Sequence, residues 1–235
     1  MKVTRRSLLY LIRGFKHQFF PLGYSESGED LIASYLIGNS KGRFCDVGAG
    51  HPVVGSNSYM FYRRGWNGVA IDLNEDLRTA WQVIRPRDLF ICAAIGSKNS
   101  NVEFFEYKND LRSTLSKQVE KYYSEQSISH IKRNINQITL NQVFETHFSD
   151  PGDVVLSIDI EGLEFEVLQA FDFSRFNPSL IVVESWSFPW SKHNPINKLL
   201  EDADYCLVAY SGLSAFYMKI EKMRKMIEKR PLIKS

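Results

Sequence analysis

Short, largely apolar runs recur along this chain at 43–47, 68–72, 89–95, 153–158 and 180–184, and none alternates cleanly between apolar and polar positions. Runs of that length without a period of two predict strands covered on both faces, as in a parallel sheet. Between them the apolar positions return at helical spacing. They predict helices at 27–38, with Leu31, Ile32, Tyr35 and Leu36 turned inward, and at 57–64, 75–83, 141–147 and 163–171. Arg85-Pro86-Arg87 ends the third helix, because proline keeps the residue before it out of the helical region, and Gly96 ends the third strand. The order of elements is that of an α/β fold, with a mostly parallel central sheet, helices on both faces and right-handed crossovers.

The remaining pattern is less regular. A short strand is expected at 102–105 and a polar helix at 116–134, containing Tyr122 and Tyr123. The insertion at 97–136 therefore either covers a substrate or packs in an ordinary way. Apolar runs at 205–210 and 216–220, around a turn at 211–214, predict a C-terminal antiparallel hairpin. Ile220, Met223 and Ile227 fall on one face of an amphipathic helix within 216–230, which is better suited to docking on the body than to anchoring in a membrane. Residues 24–220 read as one domain, with a basic extension at 1–23 and a basic helix or tail at 221–235.

The chain has 235 residues, 44% hydrophobic and 24% charged, which is ordinary for a globular protein with one well-buried core. Its net charge of +2 conceals an asymmetry. Residues 1–20 carry five basic and no acidic side chains, and residues 219–235 carry seven basic and two acidic. The stretch between them holds 17 basic and 25 acidic side chains, a net charge of −8. An acidic body disfavours nucleic acid as a partner, while the basic ends are either solvated or contact an anionic membrane or an acidic protein. The run from Leu8 to Ile12 is too short to span a bilayer. Cys45, Cys92 and Cys206 lie in apolar segments without disulfide or zinc spacing, and predict buried thiols in a cytoplasmic protein.

The chemistry gathers where the strands end. Asp46-Val47-Gly48-Ala49-Gly50 closes the first strand, Asp72 the second, Asp159 follows the fourth and Glu184 ends the fifth. In an open α/β sheet, ligands bind outside the carboxyl ends of the strands. Small residues there let the backbone approach a nucleoside, and a carboxylate on the next strand can accept ribose hydroxyls. The glycines at 48, 50 and 55 do not fit G-x-G-x-x-G, which disfavours a pyrophosphate cofactor and favours one without phosphate, such as S-adenosylmethionine. His51 is a candidate base in the first loop, with a loop-stabilising role as its alternative, whereas His17, His130, His147 and His193 have no ligand-like spacing. Trp66 is expected to pack under the sheet, and Trp186, Phe188 and Trp190 to pack or to stack on a sugar ring.

Four segments together resemble the FkbM family of methyltransferases. They are Ser25-Glu26-Ser27-Gly28-Glu29-Asp30, similar to that family's Ser-Gln-x-Gly-Glu-Asp; Phe44 through Pro52 followed by Ser56-Asn57-Ser58-Tyr59; Gly65 through Asn74, in which Asp72-Leu73 stands where many relatives have Glu-Pro; and Asp159-Ile160-Glu161-Gly162-Leu163-Glu164 with Leu168, similar to Asp-x-Glu-Gly-x-Glu-x-x-x-Leu. The resemblance runs from about Tyr24 to Tyr217. It implies a Rossmann-like class I fold and methyl transfer from S-adenosylmethionine, usually to oxygen, with sugars, glycans and glycosylated metabolites as expected acceptors. It assigns Asp46, Gly48, Ala49, Gly50, Asn57, Asp72, Leu73 and Asp159 to the cofactor, and Asp159, Glu161 and Glu164 to the transfer centre. Either Asp159 or Glu161 would act as general base, or a Mg²⁺ held by Asp159 and Glu184 would lower the acceptor's pKa. Glu164 has a cap of the following helix as its alternative role. A nicotinamide-dependent oxidoreductase acting on sugar nucleotides is the competing enzyme, opposed by the glycine spacing and the lack of a tyrosine–lysine pair. A non-catalytic interaction module is opposed by the retained carboxylates.

Overall fold

Strands β1 (Gly42–Val47), β2 (Asn67–Asp72) and β3 (Leu89–Cys92) lie side by side in parallel, as their apolar runs require. The computed structural model describes residues 6–9, 12, 14, 23–107, 130–150, 152–160, 162–185 and 194–228. Further along the chain come β4 (Ala94–Gly96), β5 (Ser100–Tyr107), β6 (His130–Thr139), β7 (Asp153–Ile158), β8 (Leu180–Glu184), β9 (Tyr205–Ser211) and β10 (Ser214–Lys219). The main sheet runs β3-β2-β1-β7-β8-β10-β9. Its first five strands are parallel and the C-terminal hairpin is antiparallel. Strand order reverses between β1 and β7, so the crevice expected to receive a ligand opens beside Val47 and Ile158.

Among the described residues, the main domain carries helices α1 (Glu29–Ile37), α2 (Tyr59–Arg63), α3 (Arg78–Ile84), α4 (Leu140–His147), α5 (Glu164–Gln169), α6 (Pro195–Asp202) and α7 (Ile220–Glu228). They cover both faces of the sheet. Cys45, Val69, Leu156 and Ile181 pack with Phe144 of α4 and Leu168 of α5 on one side. Phe44, Val155, Val182 and Phe216 pack with Ala33, Leu36 and Ile37 of α1, and with Trp66, on the other. Two apolar coverings explain why the central strands do not alternate.

Several expectations need correction. In α1, Leu36 is buried and Ile32 packs against the core as expected, but Leu31 and Tyr35 are 42% and 67% exposed, and Ala33 and Ile37 complete the inward face. The run at 89–95 is two strands: Ala93 donates to the Asp72 carbonyl, after which β4 leaves the main sheet and pairs in parallel with β6. Residues 130–134, expected as helix, belong to β6, which pairs antiparallel with β5 from Ser100↔Gln137 to Tyr107↔His130. Non-local pairing there outweighs local helical preference. The rest of the expected helix, with Tyr122 and Tyr123, lies outside the described residues. Helix α6 was not foreseen, although Asn194 capping the Ile196 amide with Pro195 at the first turn is a legible start signal. Residues 216–219 are strand, so the terminal helix begins only at Ile220. Cys45 is buried, but Cys92 and Cys206 are only partly so; all three are free thiols. Among the described residues no helix is long and apolar enough to cross a membrane.

Candidate active site

The turn after β1 clamps three strand ends together. The amides of Gly48 and Ala49 both donate to the Ile71 carbonyl, at 2.9 and 3.1 Å, and the Asp159 amide donates to the Val47 carbonyl at 2.9 Å. Gly48 has φ +76°, and a β-carbon there would lie 1.7 Å from the Asp159 carbonyl oxygen. Only glycine fits. Ala49 sends its methyl group into a small core with Ala70, Leu77, Trp81 and Phe90. At Gly50, φ is +54° but a β-carbon would find no neighbour nearer than the Gly48 carbonyl at 4.0 Å. The turn is therefore closed against the sheet at Gly48 and open at Gly50.

Asp72 fastens this turn to the next one. Its Oδ2 accepts from the Gly50 amide and its Oδ1 from the Asn74 amide, both at 2.8 Å. Burial pushes the Asp72 carboxyl upward from its ordinary pKa, and the amides of Asn74, Gly50 and Leu73 pull it back. Each oxygen has a second lone pair for a ligand hydroxyl. Leu73 contributes through its backbone, since its carbonyl accepts from the Cys92 thiol at 3.5 Å. The Trp81 indole N–H completes the wall by donating to the Gly50 carbonyl at 2.9 Å.

Asp46 lies beneath the turn and is 3% exposed. Two hydroxyls face it with their oxygens already engaged. Ser58 Oγ accepts from Arg85 Nη1 at 3.0 Å, and Ser157 Oγ accepts from Asn57 Nδ2 at 3.1 Å. The hydrogens of both hydroxyls are thus left to favour the carboxylate. Its Oδ2 has no hydrogen-bond partner among the described residues. Burial raises the Asp46 pKa above its ordinary value; Ser58, Arg85 and Ser157 oppose the rise, and Asp72 adds to it. A carboxyl whose folded pKa is raised contributes stability while protonated, and loses it as pH climbs through that pKa. Asp46→Asn is therefore expected to raise the melting temperature of the ligand-free protein by about 2–8 °C at pH 8, from a burial cost of about 1–2 kcal/mol. The gain should shrink toward pH 4. Thermal denaturation of both proteins across that range checks the sign, and an equal or lower melting temperature at pH 8 would count against it.

The second cluster stands at the ends of β7 and β8. Carboxylate oxygens of Asp159, Glu164 and Glu184 all lie within 4.8 Å of one another. Their settings differ. Glu164 is buried, and its Oε1 accepts from the amides of Ile160 at 3.0 Å and Gly162 at 3.1 Å. Its Oε2 accepts from Gly162 at 3.0 Å, so it braces the loop leading into α5 and does not cap the helix's own free amides. Glu184 is half-buried and Asp159 is exposed, so Asp159 is the most solvent-accessible carboxylate of the three. Glu161 lies outside the described residues, as do Trp186, Phe188 and Trp190. His51 Nδ1 accepts from the amides of Val53 and Val54 at 3.1 and 3.0 Å. The neutral ring then carries its proton on Nε2, an arrangement suited to holding a turn.

Sequence reasoning treated Arg85 as a helix terminator and missed its place behind this site. An arginine set between Ile84 and Pro86, with Asp88 three residues on, was the available signal. The opening motif, expected as the turn that starts the first helix, is also held by its own carboxylates. There Asp30 accepts from the Tyr24 amide and the Ser25 hydroxyl, both at 2.7 Å, while Glu29 accepts from the Ser27 amide at 2.8 Å and from Ser214 Oγ at 3.4 Å. Since Ser214 lies opposite Glu184 in the sheet, Glu29 ties the start of α1 to that strand pair.

The model of the methyltransferase FkbM domain matches residues 46–207 of the chain. Among solved structures, the chain is similar to methyltransferase FkbM from Methylobacillus flagellatus KT, with 14% identity and a TM-score of 0.43 over 92% of this chain and 48% of that one. It thus spans about half the length of that relative. It is also similar to precorrin-6y C5,15-methyltransferase from Geobacter metallireducens GS-15, with 13% identity and a TM-score of 0.40 over 81% of this chain and 85% of that one. A third similar structure is Burkholderia thailandensis 1,6-didemethyltoxoflavin-N1-methyltransferase with bound 1,6-didemethyltoxoflavin and S-adenosylhomocysteine, at 11% identity and a TM-score of 0.41 over 91% of this chain and 84% of that one. No curated protein matches the chain.

Proposed function

The chain belongs to the FkbM methyltransferase family, and from that premise we propose that it moves a methyl group from S-adenosylmethionine to a hydroxyl oxygen of a sugar, glycan or glycosylated metabolite. The observation that carries this reading is the exposed Asp159 carboxylate beside the Gly48 turn, with Glu164 and Glu184 grouped around it. A sugar hydroxyl is a poor nucleophile until its proton is removed, and a carboxylate at the mouth of the cleft can take it.

The residues at the first two strand ends suit the methyl donor. Space is open at Gly50, and Asp46 Oδ2 is buried without a partner, so an N–H or an ordered water would complete it. Asp72 would hold ribose hydroxyls with the lone pairs left beside its amide contacts, and the 48–50 turn and Leu73 would offer backbone. Asn57 serves through Ser157. S-adenosylmethionine, when bound, supplies the electrophilic methyl group. In this assignment Asp159 accepts the proton of the acceptor hydroxyl at a carboxylate oxygen, Glu184 lies beside it, and Glu164 keeps the loop in place. Glu161 is the other candidate base.

Calorimetric titration with S-adenosylhomocysteine tests the donor site. One-to-one binding is expected. Asp72→Ala is expected to weaken it about 10- to 100-fold, since hydrogen bonds to a charged group contribute about 1.5–3 kcal/mol. A folded wild-type protein that binds no S-adenosylhomocysteine would overturn the reading.

A further inference from the structure

Arg85 is a fully buried cation. Its Nε donates to Asp88 Oδ2 at 2.6 Å, and Asp88 Oδ1 accepts from the Gly68 amide at the start of β2. Nη1 donates to the Pro52 carbonyl at 3.2 Å, to Ser56 Oγ at 3.3 Å and to Ser58 Oγ at 3.0 Å. The guanidinium also lies over Trp81 at 4.2 Å and Phe44 at 4.8 Å, measured to the ring centroids. Burying an arginine is costly, and an apolar side chain of similar size could fill such a space more cheaply. What an apolar side chain could not do is gather the 52–58 turn from three acceptors and leave Ser58 to donate toward Asp46.

We propose that Arg85 is a positioning residue for the methyl-donor site, holding the 52–58 turn and, through Ser58, the Asp46 carboxylate ready for the donor. The proposal rests on the assignment of Asp46 to that site. Asp46 is faced by Arg85 beyond α3, by Asp72 at the end of β2, by Ser58 in the turn and by Ser157 on β7, while Asp88 faces Arg85 from the other side. Arg85 is the cation in that set. Removing it, or interrupting its path at Ser58, favours protonation of a buried Asp46.

The experiment is titration of the full chain with S-adenosylhomocysteine at pH 6 and pH 8. The proteins are wild type, Ser58→Ala, Arg85→Lys and the double variant Arg85→Met/Asp88→Asn, in which Asp88 is not left as a buried charge without its arginine. Wild-type affinity is expected to change little between the two pH values. The double variant should lose about 30-fold at pH 6 and about fivefold at pH 8, as Asp46 regains its charge. Ser58→Ala, which leaves the Arg85–Asp88 pair intact, should show a smaller loss with the same pH dependence, and Arg85→Lys should restore the flat profile. A merely structural arginine would give equal losses at both pH values. Such equal losses, or wild-type affinity in both the double variant and Ser58→Ala, would overturn the proposal while the donor site stands. Absence of binding by folded wild type would overturn the donor site and this proposal with it.

Discussion

Asp159→Asn is expected to lower kcat about 100- to 10,000-fold, the range a positioned general base contributes. Its affinity for S-adenosylhomocysteine should remain within about threefold of wild type, because the donor's other contacts come from the β1 and β2 ends. The substitution preserves shape and leaves the main-chain bond from Asp159 to the Val47 carbonyl in place. It removes the charge and with it the capacity to take a proton. Single-turnover kinetics with an accepted sugar, alongside calorimetry, separates the two effects. Unchanged turnover would remove Asp159 from the chemistry. A metal chelator extends the same test, since direct base catalysis predicts a rate insensitive to EDTA. Activity that vanishes with EDTA and returns with Mg²⁺ would instead seat a cation between Asp159 and Glu184, whose carboxylates are near enough to share one.

The second large effect concerns the glycine turn, where two neighbouring glycines should respond differently to the same added methyl group. Gly48→Ala would place a β-carbon 1.7 Å from the Asp159 carbonyl oxygen, at a backbone φ of +76°. Neither strand end can retreat without breaking the β1–β7 pairing beside the turn. A loss of about 4 kcal/mol or more is expected, lowering the melting temperature by roughly 8–16 °C. Gly50→Ala meets open space and carries only the cost of its left-handed backbone, about 1–2 kcal/mol. Its methyl group would project into the volume assigned to the donor, so it should weaken S-adenosylhomocysteine binding at least tenfold in a protein that still folds. Thermal melts paired with calorimetry read both. Similar melting temperatures for the two variants would mean that the strand ends are not clamped at Gly48.

Much of this site was legible in one dimension. Asp46, Asp72 and Glu184 occupy strand ends because apolar runs terminate there, and a run's end is local information. The glycines at 48 and 50 were legible as a tight turn for the same reason. The errors arose where an element's fate depended on a distant partner. The run at 89–95 looks like one strand until β6 draws 94–96 away, and residues 130–134 look helical until β5 pairs with them. In α1, a short apolar stretch did not reveal which side meets the sheet. Its inward face is set by the contacts of Ala33, Leu36 and Ile37 with strands drawn from across the chain.

The sequence by itself determined the α/β architecture, the acidic strand ends and the family resemblance, because burial period and turn chemistry are written in neighbouring residues. Tertiary structure decided how the carboxylates divide their work. Glu164 is occupied by loop amides, Asp72 holds two turns together, Asp46 is shut beneath one of them, and Asp159 is exposed. It also decided that Arg85 lies buried behind the turn when its place in the chain suggests only the end of a helix. The reason is that an acid's chemistry depends on its solvent exposure and hydrogen-bond donors, and those donors are supplied by strands and loops brought together only when the sheet forms.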